Sequence, residues 1–375
     1  MIRQLCFAAF ISALAATSAA AQATEAKPLR VAIAGLNHGH VGGFLHSAQH
    51  RASDALIVAL WDPDAQLLAQ YAKVDHFTSD QIFTDLNKML DEVKPEAVAT
   101  FTDTDSHALV VEACAPRHIP VMMEKPLAVD TKQARAIQLA SERYHTPVIV
   151  NYVTTWYRSH GEMWNLVHEQ KAAGEIRKMV AMDGHQGPRE IGVQPEFFAW
   201  LNNPVKNGAG ALFDFGCYGA NLMTWMMDNQ RPVAVTAIAQ TIKPGIYARV
   251  DDEASVLVEY PKAQGIIQAS WNWPFGRKDF EVYGERGYAI ATGGDALRVR
   301  LPGGQEEART LEALPAEEHD SIAYLTAIVR GKRMPAGLSS LENNMIVTEI
   351  LVAARESAQT GRTIRLSGPP ADAAR

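Results

Sequence analysis

The stretch Leu29-Arg30-Val31-Ala32-Ile33-Ala34-Gly35-Leu36-Asn37-His38-Gly39-His40-Val41-Gly42-Gly43 decides the fold. Its first six residues read as a strand, and residues 35–43 form a tight turn rich in glycine and histidine. A helix is expected over residues 44–51. A dinucleotide-binding turn needs glycines so that the chain can reverse sharply and a pyrophosphate can approach backbone N–H groups at a helix start. Gly35 supplies the first glycine, while Asn37 and His40 stand at the second and third positions. Asn takes positive φ more readily than most residues, so the backbone path is preserved. The side chains of Asn37 and His40 nevertheless fill space that glycine would leave open.

Outward from the turn, residues 55–61 form a second strand that ends at Asp62. A carboxylate at that point would accept hydrogen bonds from an adenosine ribose and repel a 2′-phosphate, which favours NAD over NADP. The same Asp62-Pro63-Asp64 run also suits a simple helix cap. Helices at residues 63–72, 83–93, 106–117 and 131–144 then alternate with strands at 97–101, 119–123 and 148–150. Continuous Val, Ile and Ala runs between amphipathic helices predict a doubly wound parallel sheet of Rossmann type over residues 24–150. Beyond Asn151 the runs at 254–259, 265–273, 280–284 and 288–292 mix or alternate apolar residues between turn signals. They predict a C-terminal α+β domain, residues 151–366, with a large, mostly antiparallel open sheet. Helices are expected at 216–227, 317–329 and 341–358, and the Pro- and Ala-rich tail 367–375 is expected to fray.

The start of the chain bears on compartment. Arg3 precedes an uncharged run from Leu5 to Ala21, followed by Ala19-Ala20-Ala21-Gln22-Ala23, the small-x-small pattern of a cleavable signal peptide over residues 1–23. No Arg-Arg pair precedes it, which points to the general export route and a periplasmic or secreted product. Of three cysteines, Cys6 leaves with that segment, and Cys114 and Cys217 lie in apolar helical patterns that suit small buried side chains. A formal charge of −7 with no Lys/Arg cluster argues against nucleic acid and anionic membrane. The ligand is expected to be a small molecule.

Candidate chemistry gathers at three places. Val121-Met122-Met123-Glu124-Lys125-Pro126 is an apolar strand that ends in a charged pair and a proline. An unpaired buried ammonium is costly, so Lys125 at the ligand-binding end of a parallel sheet is expected to serve a site. In the segment from Gly208 to Asn221, Asp214 and Tyr218 are four apart and would share one face of a helix, where a carboxylate beside a phenol can orient a hydroxyl and help its proton leave. His38, His40, His46 and His50 raise a metal reading, but no glutamate completes the pair of His46 and His50. No metal is expected, and His38 and His40 are assigned to stacking or hydrogen bonding near a cofactor.

From about Leu29 to Leu366 these pieces together resemble the Gfo/Idh/MocA oxidoreductase family. The resemblance rests on Glu124-Lys125-Pro126, the glycine-rich approach to Asp214, Val250-Asp251-Asp252-Glu253-Ala254, Val282-Tyr283-Gly284-Glu285-Arg286-Gly287 and the helix ending Thr360-Gly361-Arg362. Tyr218 stands where many members carry His, and Asn221 where Asp is common. The tyrosine form resembles the glucose-fructose oxidoreductase and dihydrodiol dehydrogenase branch, whose tyrosine is the implied acid/base.

The resemblance implies NAD held by Gly35, Asn37, His38, Gly39, His40 and Asp62. Thr102, Asp103 and His107 would lie under its middle, with Glu124 and Lys125 at its nicotinamide end. It implies a cis Lys125-Pro126 bond, Lys125 hydrogen-bonded to the reacting oxygen and lowering the pKa of Tyr218, and Asp214 fixing the substrate. Tyr152, Trp156, Arg158 and His185 are candidates for the sugar pocket, and the open sheet face is expected to pack against another subunit in a homodimer or homotetramer. Three activities remain open. One is hydride transfer at a hydroxyl or keto carbon of a sugar, glycoside or polyol. The second is glycoside cleavage through a transient keto-sugar. The third is a non-catalytic sugar-binding module. Lys125→Met is expected to abolish activity with folding intact.

Overall fold

The computed structural model describes residues 27–366; the expected signal peptide over residues 1–23 and the 367–375 tail lie outside them. In chain order, the first half runs β1 (Leu29–Ala34), α1 (Val41–His50), β2 (Ala55–Trp61), α2 (Ala65–Val74), β3 (Ile82–Phe83), α3 (Leu86–Val93), β4 (Ala97–Thr100), α4 (His107–Cys114), β5 (Val121–Glu124), α5 (Thr131–Tyr144) and β6 (Val148–Asn151). Its six strands are all parallel in the order β3-β2-β1-β4-β5-β6. Strand order reverses between β1 and β4, and the crevice at the carboxyl ends of those strands is where such sheets bind ligands. The strand residues are buried on both faces, as continuous apolar runs require.

The predicted 83–93 helix is shortened by the edge strand β3. Asp85 ends the connection by accepting a hydrogen bond from Lys88 N and starts α3 at Leu86. The second half continues with α6 (Arg158–Trp164), β7 (Ile176–Gly184), α7 (Pro195–Leu201), α8 (Pro204–Asn207), α9 (Ala211–Asp214), α10 (Gly216–Met226), β8 (Ala234–Gln240), β9 (Glu253–Glu259), β10 (Gln264–Ser270), β11 (Arg277–Gly284), β12 (Tyr288–Thr292), β13 (Leu297–Arg300), β14 (Glu307–Ala308), α11 (Ser321–Val329), α12 (Leu341–Thr360) and β15 (Ile364–Arg365). Nine strands form one sheet in the order β14-β13-β12-β11-β7-β10-β9-β8-β15. Every pairing is antiparallel except β10 with β7.

One face of this sheet is covered. Met179, Ala181 and Asp183 of β7 alternate inward with Phe280 and Val282 of β11. Gly219 lets α10 approach closely, since a Cβ there would lie 2.8 Å from Ala181 and from Ile267. Asn221 is no site residue. It is buried and donates to Leu338 O at 2.8 Å and to Asn343 Oδ1 at 2.7 Å, tying α10 to α12. Cys114 and Cys217 are both free and buried.

Candidate active site

Lys125 follows β5 directly, and its peptide bond to Pro126 is cis. Its Nζ donates to Asp214 Oδ1 at 2.5 Å and to the Asp214 carbonyl at 3.0 Å. The second Asp214 oxygen accepts from Trp271 Nε1 at 2.9 Å. Burial alone would drive the ammonium and the carboxylate toward neutrality, but the opposite charge overturns that. Lys125 titrates above its ordinary value and Asp214 below. The ion pair is therefore a fixed feature at neutral pH, and Asp214 is occupied with Lys125 and Trp271 rather than open to a substrate.

Asp214 and Tyr218 do not sit on one unbroken helix. Asp214 ends α9 and α10 starts at Gly216, with Phe215 at the break. Asp251 anchors the start of α9 by accepting from Gly210 N at 2.8 Å and Leu212 N at 2.7 Å. The break turns Asp214 onto Lys125, while the Tyr218 ring packs beside the ammonium, 5.3 Å from Nζ to the ring centroid. Lys125 thus meets the face of Tyr218 rather than its hydroxyl. Burial pushes the phenol well above its ordinary value, so the expected lowering by Lys125 does not occur.

Two cavities meet at Gly39, His40, Tyr218 and Lys278. The smaller, about 230 Å³, is lined among others by Lys125, His185, Asp214, Phe215 and Phe197. The larger, about 480 Å³, runs past Phe101, Glu124, Asn151, Val153 and Trp156. Lys278 of β11 was not singled out from the sequence. Its Nζ lies 4.6 Å from the Tyr218 centroid and 4.9 Å from that of Phe215. Directly opposite it in register is Asp183 of β7, fully buried, with both carboxyl oxygens lacking a hydrogen-bond partner among the described residues. The Met179-Val180-Ala181-Met182-Asp183 alternation was the available signal, since a carboxylate on the inward side of a strand calls for a reason.

The glycine turn is folded tightly. Gly35 has φ +87°, and a Cβ on it would lie 2.4 Å from Thr102 Cγ2. His38 N donates to Phe101 O at 3.0 Å, and Asp62 accepts from Leu36 N at 2.8 Å and Asp64 N at 2.9 Å. Asp103 caps the following turn at Ser106 N and faces Lys206 Nζ at 3.4 Å. Glu124 accepts from Asn151 Nδ2 at 2.9 Å and pairs with His40 Nδ1 at 3.0 Å. Asn37 Oδ1, His38 Nε2, Thr104 Oγ1 and His107 Nε2 are buried around this groove without partners. Orphaned donors and acceptors along the path expected for a dinucleotide fit a ligand with matching polar groups. Over the turn lies α7: Trp200 Nε1 donates to Asn37 O at 3.0 Å, and the Phe197 ring packs at a tilt against His38 with centroids 4.6 Å apart.

Trp156 and His185 line the cavities, but two sugar-pocket candidates do not. Tyr152 is fully buried, its ring packed edge-on against Tyr218, because it belongs to the core under α10. Arg158 turns outward to Asp295 at 2.9 Å. His46 and His50 pack against each other on the outside of α1, their rings tilted at 43°. Ligand atoms of His38, His40 and Glu124 approach within 4.8 Å of one another. His38 Nδ1, however, accepts from His40 N at 3.2 Å, which in the neutral ring puts the proton on Nε2 and leaves no lone pair free for a cation.

The parallel sheet and its glycine turn, with a Lys-Asp pair beside a phenol at the ligand-binding edge, define a fold of the dinucleotide-binding class. Residues 29–152 match the oxidoreductase family model with an NAD-binding Rossmann fold, and residues 165–290 match the GFO/IDH/MocA C-terminal domain. The chain belongs to the GFO/IDH/MocA family. It is 28% identical to trans-1,2-dihydrobenzene-1,2-diol dehydrogenase of Xenopus laevis over 44% of this chain and 46% of that one. It thus spans about half the length of that relative. With the rhizopine catabolism protein MocA of Rhizobium meliloti it shares 24% identity over 70% of this chain and 78% of that one. Its fold is that of the aldose-aldose oxidoreductase from Caulobacter crescentus complexed with glycerol (TM-score 0.77, 21% identity, 91% and 100% covered). It is equally that of the inositol dehydrogenase homolog complexed with NAD+ from Azotobacter vinelandii (TM-score 0.78, 18% identity, 92% and 98% covered).

Proposed function

We propose that this chain transfers a hydride between NAD and a hydroxyl or keto carbon of a sugar, glycoside or polyol. The observation that carries the reading is the buried Lys125–Asp214 pair, presented with Tyr218 to a cavity at the carboxyl ends of β1 and β5. The dihydrodiol and inositol dehydrogenases among its relatives and structural neighbours support it over glycoside cleavage or a non-catalytic module.

NAD would supply the hydride-accepting ring. Asp62, the turn from Gly35 to His40 and the Thr102–His107 segment would hold its adenosine and diphosphate, and Glu124 with Asn151 its nicotinamide ribose. Lys125, kept cationic by Asp214, stabilises negative charge on the reacting oxygen. Tyr218 stays a neutral phenol at physiological pH and donates a hydrogen bond to a sugar hydroxyl. His185 accepts from Gly187 N at its Nδ1, at 2.9 Å, and so presents Nε2–H to the same cavity. Export by the 1–23 signal and assembly through the open sheet are part of the same reading.

Lys125→Met tests it. Loss of the ammonium removes turnover, and it also leaves Asp214 buried and unpaired at a cost of about 3–5 kcal/mol. Folding intact in the single variant is therefore no longer expected. Lys125→Met/Asp214→Asn recovers stability in urea unfolding and stays inactive on polyols with NAD. Turnover close to wild type in either variant would refute the assignment.

A further inference from the structure

One wall of the smaller cavity is a loop, residues 185–194, that joins β7 to α7 and supplies His185, Pro188, Ile191, Val193 and Gln194 to the lining. His185 N still donates to Ser270 O at 3.2 Å, but beyond it the loop has no strand partner among the described residues. Its own bonds, Ile191 N to Gly187 O at 3.0 Å and Val193 N to Pro188 O at 3.1 Å, give it a shape. They do not fix where that shape sits relative to Lys125 and Tyr218.

The placement comes from Lys243, in the connection between β8 and β9 and outside the lining of both cavities. Its Nζ donates to Gln186 O at 2.7 Å, to Glu190 Oε1 at 2.6 Å and to Trp271 O at 2.7 Å, so all three ammonium protons are used. Two of these acceptors belong to the loop, and the third follows β10. The Tyr247 hydroxyl donates to the other Glu190 oxygen and accepts from Arg189 N at 3.3 Å. Gly187 leaves room for this: at φ +125°, a Cβ on it would lie 2.3 Å from Glu190 Oε2 and 2.4 Å from the Tyr247 hydroxyl oxygen. Lys243 is itself anchored, since its N–H donates to Oδ2 of the fully buried Asp252 at 2.7 Å and Ile242 N donates to Oδ1 at 2.7 Å. Resting on the hydride-transfer reading above, we infer that Lys243 is a positioning residue for the site: through Gln186 and Glu190 it holds the 185–194 loop, and with it His185 and the apolar side chains of Pro188, Ile191 and Val193, in place against Lys125 and Tyr218.

The other side of the cavity does not depend on this ammonium. Trp271 Nε1 holds Asp214, and the Trp271 backbone is fixed separately by its own N–H, which donates to Asp252 O at 2.8 Å. Removing the ammonium therefore frees the loop and leaves the Lys125–Asp214 pair standing. The charge on Glu190 is part of the tether. Burial works against it, but the hydrogen bonds from Lys243 and Tyr247 overturn that, and the carboxyl titrates below its ordinary value. A substrate bound against a loosened wall loses contacts that it makes equally before and during hydride transfer, which raises KM and spares kcat.

Hydrogen exchange read by mass spectrometry tests the tether without any substrate. In Lys243→Met the amides of residues 186–193 are expected to exchange about 10-fold faster than in the wild type, while β7 and β10 keep their protection. Unchanged exchange in the loop overturns the inference. Should Lys243→Met lose protection throughout, Glu190→Gln takes its place, because it removes the charge facing the ammonium at a partly exposed position. Loop exchange at the wild-type rate in that variant overturns the inference equally. With NAD and the best substrate among myo-inositol, D-glucose and methyl β-D-glucoside, Lys243→Met is expected to raise KM about 10-fold with kcat within about 3-fold. A fall in kcat with KM unchanged is what a merely structural role would give, and it overturns the positioning role. If the wild type oxidises none of the three, the hydride-transfer reading fails, while the exchange rates still decide whether Lys243 holds the loop.

Discussion

At the scale of single residues, the site is a set of buried ionisable groups whose neighbours decide their charge. Lys125 and Asp214 hold each other ionised, whereas Asp183 has no hydrogen-bond partner among the described residues and is driven toward its neutral form. The pH dependence follows. In the unfolded chain an aspartate ionises near 3.8, and in the fold Asp183 ionises near 8. Between those values the folded state binds the extra proton, so this group stabilises the fold most at low pH and loses that contribution as pH rises toward 8. Urea unfolding at pH 5 and pH 8 should therefore show a stability loss in the wild type that Asp183→Asn largely lacks. Parallel pH dependences in the two proteins would mean that Asp183 is ionised throughout. Lys125, Asp214 and Tyr218 were legible in the sequence because each sits in a motif whose polarity breaks an apolar run. Lys278 was not, because in Arg277-Lys278-Asp279 it reads as one charge among three on an edge-like strand. Only pairing with β7 shows that it faces inward.

At the scale of elements, the parallel half was readable because its strands are uniformly apolar and separated by helices of ordinary length. The central strand of the other sheet, β7, was not singled out, since Ile176-Arg177-Lys178 opens it with exposed charges before the inward alternation begins. Nor was the role of α7 visible. Its Pro195 start and aromatic content describe a helix, but not that it lies across the glycine turn of another domain. Trp200 fastens it to Asn37 O, and Lys206 in α8 adds contacts to Asp103 and Asp105 at 3.4 and 3.3 Å. A dinucleotide lying along the turn would be trapped beneath this strap, so its release requires α7 to lift. Trp200→Phe keeps an aromatic ring, though a smaller one, and deletes the donor, a bond worth roughly 0.5–1.5 kcal/mol. Release of bound NADH, followed by its fluorescence, is expected to quicken several-fold. An unchanged rate would show that α7 does not gate the groove.

At the scale of the whole molecule, the nine-stranded sheet has a face that the described residues leave uncovered. One row of outward side chains crosses it through paired positions: Ile290, Glu281, Val180, Ile266, Leu257 and Thr236. Leu257 and, on the next row, Ile238 are 42% and 66% exposed. A row with four apolar members, interrupted only by Glu281, fits the association surface proposed above. Because one surface is offered, a two-fold pairing of two copies, each covering the other's row, is the closed arrangement that satisfies it. The site lies on the opposite face of the sheet, so association and chemistry are separable. Leu257→Glu places a charge at the middle of the shared face, where each copy would desolvate it. Light scattering is expected to report twice the chain mass for the wild type and a single mass for the variant, with the NAD-dependent activity per chain retained. A wild type that runs as a monomer at micromolar concentration would leave this face without a partner of its own kind.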